Sequence, residues 1–260
     1  RFQVRRDTAM FDLTTALPKD ASALIALLEV SARQGGPDAD TDRERAAEAK
    51  AAAARANTLT MQYIEENHLF AREGRARDAF EMQVKVTGGM IGASFTHEQA
   101  RPTPGYPGMP HYHTHNLAAA VVEVDGPDGR PQIKKPDSAA LRDARAIYSA
   151  MHSLFVQQEL AGLGYSFETV KYVDDFGRDA QMVCLRGFGK RARVLIDELS
   201  KRHAQIVDAV KEQAAAFLEA QGRPPTTEEL AGFQGKAWRA TRQSKREWKG
   251  VRDEVLIKLA

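Results

Sequence analysis

Alternation of apolar and polar residues marks the first element of the chain: FDLTT, residues 11–15, reads as a strand that Pro18-Lys19 breaks. The period then lengthens. Asp20 or Ser22 opens a short apolar helix, ASALIALLEV, and Gln34-Gly35-Gly36-Pro37 forms a loop. A long helix is predicted over about 42–72, Ala-rich and polar at first, with Leu59, Tyr63 and Ile64 supplying an apolar stripe late. Residues 80–97 are strand material in two runs split by Gly88-Gly89, a hairpin or a bulged pair. Residues 99–110 carry four prolines and two glycines, and proline cannot feed a β-ladder, so they are expected outside the sheet. Strand pattern returns over 111–124, followed by a turn at 125–129. Pro136-Asp137-Ser138 caps an amphipathic helix that ends near 162–164. A second hairpin covers 165–173 and 180–185, with its turn at 174–179. Helices fill the remainder: 190–221, 227 to about 245 after the start signal PPTTEE, and a last one toward Leu259.

Strands that come as hairpins between long helices predict an α+β fold, with a central antiparallel β-sheet flanked by long helices rather than an alternating βαβ wrap. At 260 residues, 43% hydrophobic and 28% charged, the chain is long and apolar enough for a sizeable core. No apolar run reaches the length of a membrane helix, and the opening RFQVRRDTAMFDLTT lacks the apolar core of a secretory signal. The single cysteine, Cys184, excludes an internal disulfide and favours a reducing, cytoplasmic setting, where it reads as a small buried residue on a strand. The chain opens on Arg1 inside a strand-like stretch, which suggests a fragment of a longer protein. A net charge of +2 does not announce a nucleic-acid partner. The distribution says more: Lys236, Arg239, Arg242, Lys245, Arg246 and Lys249 crowd one stretch against the single acid Glu247. Such a cluster suits phosphate neutralisation, or simply a solvated helix face.

The chemistry concentrates in histidines. His113 and His115 flank Thr114, and residues i and i+2 of a strand share a face, so two imidazoles project side by side. His97 closes the preceding strand and lands beside them if the two strands pair. Three neutral imidazoles then form a facial set with positions left open for a phosphate oxygen or water. His111 shares the alternation and is either a fourth ligand or, beside Pro110, a loop residue; the loop is the preferred reading. His68, His152 and His203 lie on predicted helices and read as structural or exposed.

With these residues placed, the chain resembles, over nearly its whole length, the relaxases of conjugative plasmids in the TrwC/TraI-like (MobF) branch of the HUH endonucleases. FDLTTALPKDAS is similar to the family's Asp-Leu-Thr…Pro-Lys-Ser segment, and FTHEQA…HYHTHN to its first histidine, variable loop and His-x-His block. RDARAIYSAMHSLFVQQELAGLGYSFE resembles the helix and strand that follow, GFGKRARVLID a Phe-Ser-x-Arg helix start, and ATRQSK a Thr-Arg-Lys-Ser-Lys turn. The resemblance implies the palm-type HUH fold, with residues 1–260 as a relaxase domain lacking its nucleophile-bearing segment and 187–260 as a helical, DNA-contacting part. It implies a divalent cation on His97, His113 and His115 that polarises the scissile phosphate of single-stranded DNA. A tyrosine attacks, leaving a 5′-phosphotyrosine and a free 3′-hydroxyl that permits rejoining without ATP. Asp12 activates that tyrosine or orients a metal-bound histidine. Arg242 and Lys245 contact DNA phosphate near the metal, with Lys236 and Arg239 in the same basic stretch. The implied partners are single-stranded or hairpin origin-of-transfer DNA, relaxosome accessory proteins and a helicase domain following in a longer parent chain.

The sequence departs from the family pattern in places. The nucleophile lies upstream of the aspartate strand in the family, and none of residues 1–11 is tyrosine. Tyr63, Tyr106, Tyr112, Tyr148, Tyr165 and Tyr172 all fall elsewhere in the pattern, so this stretch alone is expected not to cleave. The loop between His97 and His113 is long and proline-rich, and Thr114 stands where a large apolar residue is usual. Three nitrogens favour zinc, nickel or manganese over magnesium, whereas the family works with magnesium or manganese; a site accepting several ions is expected. Two other readings fit the same residues: an inactive relaxase-like module that binds single-stranded or hairpin DNA, and an unrelated three-histidine metallohydrolase using water.

Overall fold

The computed structural model describes residues 8–73, 82–100, 109–173, 179–188 and 200–241. The chain forms two compact units: residues 1–17, 48–97 and 112–164, and residues 18–47, 98–111 and 165–260. Among the described residues no helix is long and apolar enough to cross a membrane.

The first unit is built on a three-stranded sheet. Its members are β1 (Met10–Ala16), β4 (Gly92–Gln99) and β5 (Pro110–Ala119), in the order β1-β5-β4. β1 and β5 are antiparallel, with Thr14 opposite His115 and Asp12 opposite Leu117. Two hairpin sheets accompany it: β2 (Phe70–Glu73) with β3 (Met82–Lys85), and β6 (Val122–Asp125) with β7 (Pro131–Lys134). The helices are most of α2 (Ala39–Asn67), α3 (Ser138–Asp143) and α4 (Arg145–Gly162). Leu13, Ile64, Leu69, Val122, Val124 and Tyr148 meet in one apolar core. The alanines that look unspecific in sequence have a packing role: Ala49, Ala52, Ala53 and Ala56 form a buried face of α2, where small side chains permit close approach of a neighbouring backbone. A buried hydrogen bond joins Thr60 of α2 to His152 of α4 at 2.9 Å, and Arg55 bonds Glu159 at 2.6 Å.

The second unit holds α1 (Lys19–Gln34), the hairpin β8 (Phe167–Val173) with β9 (Asp179–Leu185), α5 (Lys201–Gln221) and α6 (Thr227–Ala240). Asp20, buried in the first turn of α1, accepts the backbone N–H of Leu185 at 2.6 Å, and burial raises its carboxyl pKa against the pull of that bond. Cys184 is buried on β9, as its composition suggested. Gly222, at φ 65°, ends α5 in the left-handed region open to glycine. The predicted start of α6 is a full capping box: Thr226 accepts from the N–H of Glu229, whose carboxylate accepts from the N–H of Thr226.

The fold class is as the sequence implied, while several boundaries differ. The helix predicted over 42–72 runs from Ala39 to Asn67, and Phe70–Glu73 pairs instead with Met82–Lys85. Asn67 closes the helix by donating its side-chain amide to the carbonyl of Tyr63 at 2.9 Å, a stop without glycine or proline. Gly88-Gly89 is not a hairpin turn: β3 pairs with β2 and β4 with β5, so the glycines cross between sheets, where Gly88 and Thr87 donate to the carbonyl of Glu123. The strand predicted over 111–124 breaks at Ala120-Val121 into β5 and β6, which join different sheets. The helix after Pro136 divides at Ala144, whose N–H caps α3 through the carbonyl of Ala140. His111 is the second residue of β5 and not a loop residue. Gly92 opens β4 where an added Cβ would stand 2.5 Å from the carbonyl oxygen of Leu117, so glycine lets β4 lie against β5.

Candidate metal centre

The sheet β1-β5-β4 presents one open face whose composition follows from strand alternation. In β1, Leu13 and Thr15 are buried while Met10, Asp12, Thr14 and Ala16 are exposed. In β5, Thr114, Asn116 and Ala118 are buried, which turns His113, His115 and Leu117 to the opposite face. The hydroxyls of Thr96 and Thr114 meet at 3.1 Å across β4 and β5, and this register sets His97 beside His113.

The three imidazoles are gathered evenly. Ring centroids are 5.4 Å apart for His97–His113, 5.4 Å for His97–His115 and 5.2 Å for His113–His115. A ring bound through one nitrogen at about 2.1 Å holds its centroid roughly 3.2 Å from the ion, so three rings at near-tetrahedral angles stand about 5.2 Å apart. The observed spacing fits one shared cation. Among the described residues, however, no set of three His, Cys, Asp or Glu side chains has the donor arrangement of a finished metal site. The triangle of ring centroids belongs to the backbone. Strand register fixes it, whereas rotation about the soft χ2 of each ring redirects the nitrogens.

Asp12 sets the chemical state of one ring. Its Oδ2 lies 2.8 Å from Nδ1 of His115, and its Oδ1 accepts the hydroxyl of Thr14 at 3.0 Å. A carboxylate only accepts, so Nδ1 carries the proton and Nε2 keeps its lone pair for a cation. Thr14 also approaches Nδ1 of His115, at 3.2 Å, which braces the pair from the side.

Behind the histidines, a buried amide pair ties the strands to α2. Asn116 and Asn57 exchange reciprocal bonds of 3.0 Å. Asn116 further donates to the carbonyl of Leu13 at 2.8 Å and accepts from Ser94 at 2.6 Å, while Thr15 donates to Asn57 at 2.7 Å. One side chain of the central strand thus contacts β1, β4 and α2, and its links to β1 and α2 are hydrogen bonds held away from water.

The four residues predicted for the metal and its orientation, His97, His113, His115 and Asp12, are brought onto one face. His111 lies in the second unit, where its Nδ1 sits 3.3 Å from Nζ of Lys19; burial lowers that amine to about 8. Of the predicted DNA contacts, Lys236 and Arg239 occupy exposed positions on α6 in the second unit, while Arg242 and Lys245 lie outside the described residues. Tyr148 is a core residue whose phenol burial pushes up, Tyr112 alternates to the face of β5 opposite His113, and Tyr106 is outside the described residues. Sequence reasoning missed Thr14, although it stands two residues from Asp12 on the same face, and missed Asn57 and Asn116, whose pairing no local pattern announces. A cavity of about 330 Å³ beside Arg72, Lys134, Lys135 and Asp137 contains none of the histidines, which stand on open strand surface.

A family model described as TrwC relaxase matches residues 1–254. In fold the chain is similar to a conjugative relaxase TrwC in complex with mutant oriT DNA, at 22% identity and TM-score 0.58 over 98% of this chain and 74% of that one. It is similar to a metal-bound TrwC–oriT DNA structure, at 23% identity and TM-score 0.57 over 100% of this chain and 73% of that one. A metal-free TrwC–oriT DNA structure gives 24% identity and TM-score 0.58 over 100% of this chain and 74% of that one. No curated protein sequence matches the chain.

Proposed function

The chain belongs to the TrwC relaxase family, and from that premise we propose that its open sheet face binds a divalent cation and the scissile phosphate of single-stranded origin-of-transfer DNA for nicking and rejoining. The observation that carries the reading is the even triangle of His97, His113 and His115 with Asp12 bonded to the outer nitrogen of His115. A bound cation supplies charge stabilisation to a phosphate oxygen. The chain's own residues supply the rest. Asp12 holds His115 in the tautomer that leaves Nε2 free, and Thr14 fixes the carboxylate. The buried Asn57–Asn116 pair keeps β1, β4 and β5 in register, so the rings are positioned before substrate arrives.

Nitrogen donors favour manganese, zinc or nickel, and phosphate or water oxygens added to the shell make magnesium acceptable. A site tolerant of several ions fits both this donor set and the relatives, one of which is described as copper-bound. In this reading the nucleophile is a tyrosine upstream of Asp12: its oxygen forms a 5′-phosphotyrosine ester as the P–O3′ bond breaks, and the 3′-oxygen leaves as a hydroxyl that can reverse the exchange. Lys236, Arg239, Arg242 and Lys245 contribute phosphate contacts from the C-terminal part.

The test uses the native full-length protein, manganese and single-stranded oligonucleotides tiled across the transfer region of its own element. A covalent protein–DNA adduct, lost with chelator and restored by manganese, is the expected result. Cleaved product with no adduct would identify a water-using metallohydrolase instead. Hairpin binding with no cleavage would identify a binding module.

A further inference from the structure

Two residues before His97 on β4 stands Phe95. Alternation places it on the histidine face, and the Thr96–Thr114 register places it across from His115. It is 53% exposed, on a face otherwise built there from His97, His115, Thr14 and Asp12. Among the described residues β4 is the outer strand of its sheet, a position that proteins usually protect with charge, and no described core cluster takes up this half-bare phenyl ring. Beyond it the same end of the sheet turns apolar: Ile91 is 70% exposed and bonds Ala119 through its carbonyl, and Met10, 51% exposed, stands opposite Ala119 in β1. Asp12, at the histidine end of this strip, is engaged by His115 and Thr14.

The spacing suits one ligand class. Same-face neighbours along a strand lie about 6.8 Å apart, close to one nucleotide step of an extended strand. A phosphate held by the histidines therefore carries its adjoining base over Phe95, with Ile91 and Met10 continuing the apolar track. Resting on the metal-and-phosphate reading above, we propose that Phe95 is the stacking platform for the nucleobase adjoining the phosphate held at the triad. Every base has a π-face, so this contact grips and orients the strand without reading its sequence. Sequence choice must then come from other parts of the molecule.

The experiment measures anisotropy of a labelled oligothymidine, with and without manganese, on the 260-residue chain and its Phe95→Ala, Phe95→Leu, Phe95→Trp and His113→Ala variants. Phe95→Ala and Phe95→Leu should weaken binding about 5- to 150-fold, with Phe95→Trp near the parent. A single abasic site at one position should weaken the parent by a similar factor and add no further loss in Phe95→Ala. The tightening by manganese should survive in all Phe95 variants and vanish in His113→Ala. If manganese tightens nothing while the Phe95→Ala deficit persists, the metal reading falls and the stacking platform stands. If Phe95→Ala and Phe95→Leu bind like the parent while manganese still tightens them, the stacking platform falls alone. A change in self-association on sedimentation, with DNA affinity untouched, would assign this face to a second copy of the chain and overturn the proposal.

Discussion

Asp12 and His115, 103 positions apart in sequence, meet at 2.8 Å because β1 and β5 are antiparallel neighbours with both side chains on the open face. The relationship is directional. The carboxylate draws the ring proton to Nδ1, and the opposite nitrogen is thereby committed to a cation or left basic. An amide in place of the carboxylate can donate and so stabilise the wrong tautomer. Asp12→Asn is therefore expected to weaken manganese binding about 10- to 100-fold, by isothermal titration calorimetry, with little loss of stability. Equal affinity in the two proteins would remove Asp12 from the site.

Asn116, itself buried, makes four hydrogen bonds to three partners, Asn57, Ser94 and the carbonyl of Leu13. Asn116→Ala strands the carbonyl of Leu13 and the side chain of Asn57, at a cost of about 2–4 kcal/mol. Calorimetric melting should show this as a marked loss of Tm. A variant melting with the parent would mean that water replaces the amide without loss.

His152 ties acid stability to the α2–α4 contact. Burial lowers its pKa from 6.5 to about 4, so the fold prefers the neutral ring. Its contribution is complete above 6.5 and is lost as pH falls through that value toward 4, by an amount on the order of 3 kcal/mol. Urea unfolding across this range should show the loss in the parent and a flatter profile in His152→Gln. Parallel profiles would place the acid sensitivity elsewhere.

Asp20 works with the opposite sign. Burial raises its pKa, so the folded state bears a cost at neutral pH that fades as pH falls and the carboxyl protonates. Asp20→Asn keeps an acceptor for the N–H of Leu185 without the charge. At neutral pH it should resist urea at least as well as the parent, and that advantage should shrink on acidification. A variant weaker than the parent at neutral pH would show that the charge itself strengthens the bond to Leu185 beyond its desolvation cost.

Much of the site was legible in the sequence because strand alternation is local. H-x-H needs only a period of two to put both rings on one face, and Asp12 stands out in FDLTT for the same reason. The hairpins β8–β9 and the cap of α6 were equally readable, since turn and cap residues act within a few positions. What stayed hidden was non-local. Nothing near Gly88-Gly89 tells that the strands on either side leave for different sheets, and nothing near Asn67 says that the helix stops there. Asn57 and Asn116 become partners only through the sheet order β1-β5-β4. The basic stretch showed its charge but not its placement: Lys236 and Arg239 are exposed on α6, and Arg242 and Lys245 lie outside the described residues.

Gly92 touches neither ion nor substrate, yet it acts as the gauge of the whole arrangement. With the carbonyl of Leu117 only 2.5 Å from where a methyl would sit, any side chain there must wedge β4 away from β5. The wedge would carry His97 off the triangle while leaving His113 and His115 where they are. A position with no functional group at all is thus as intolerant as a ligand, and a mutational scan scored on activity alone would mistake it for one.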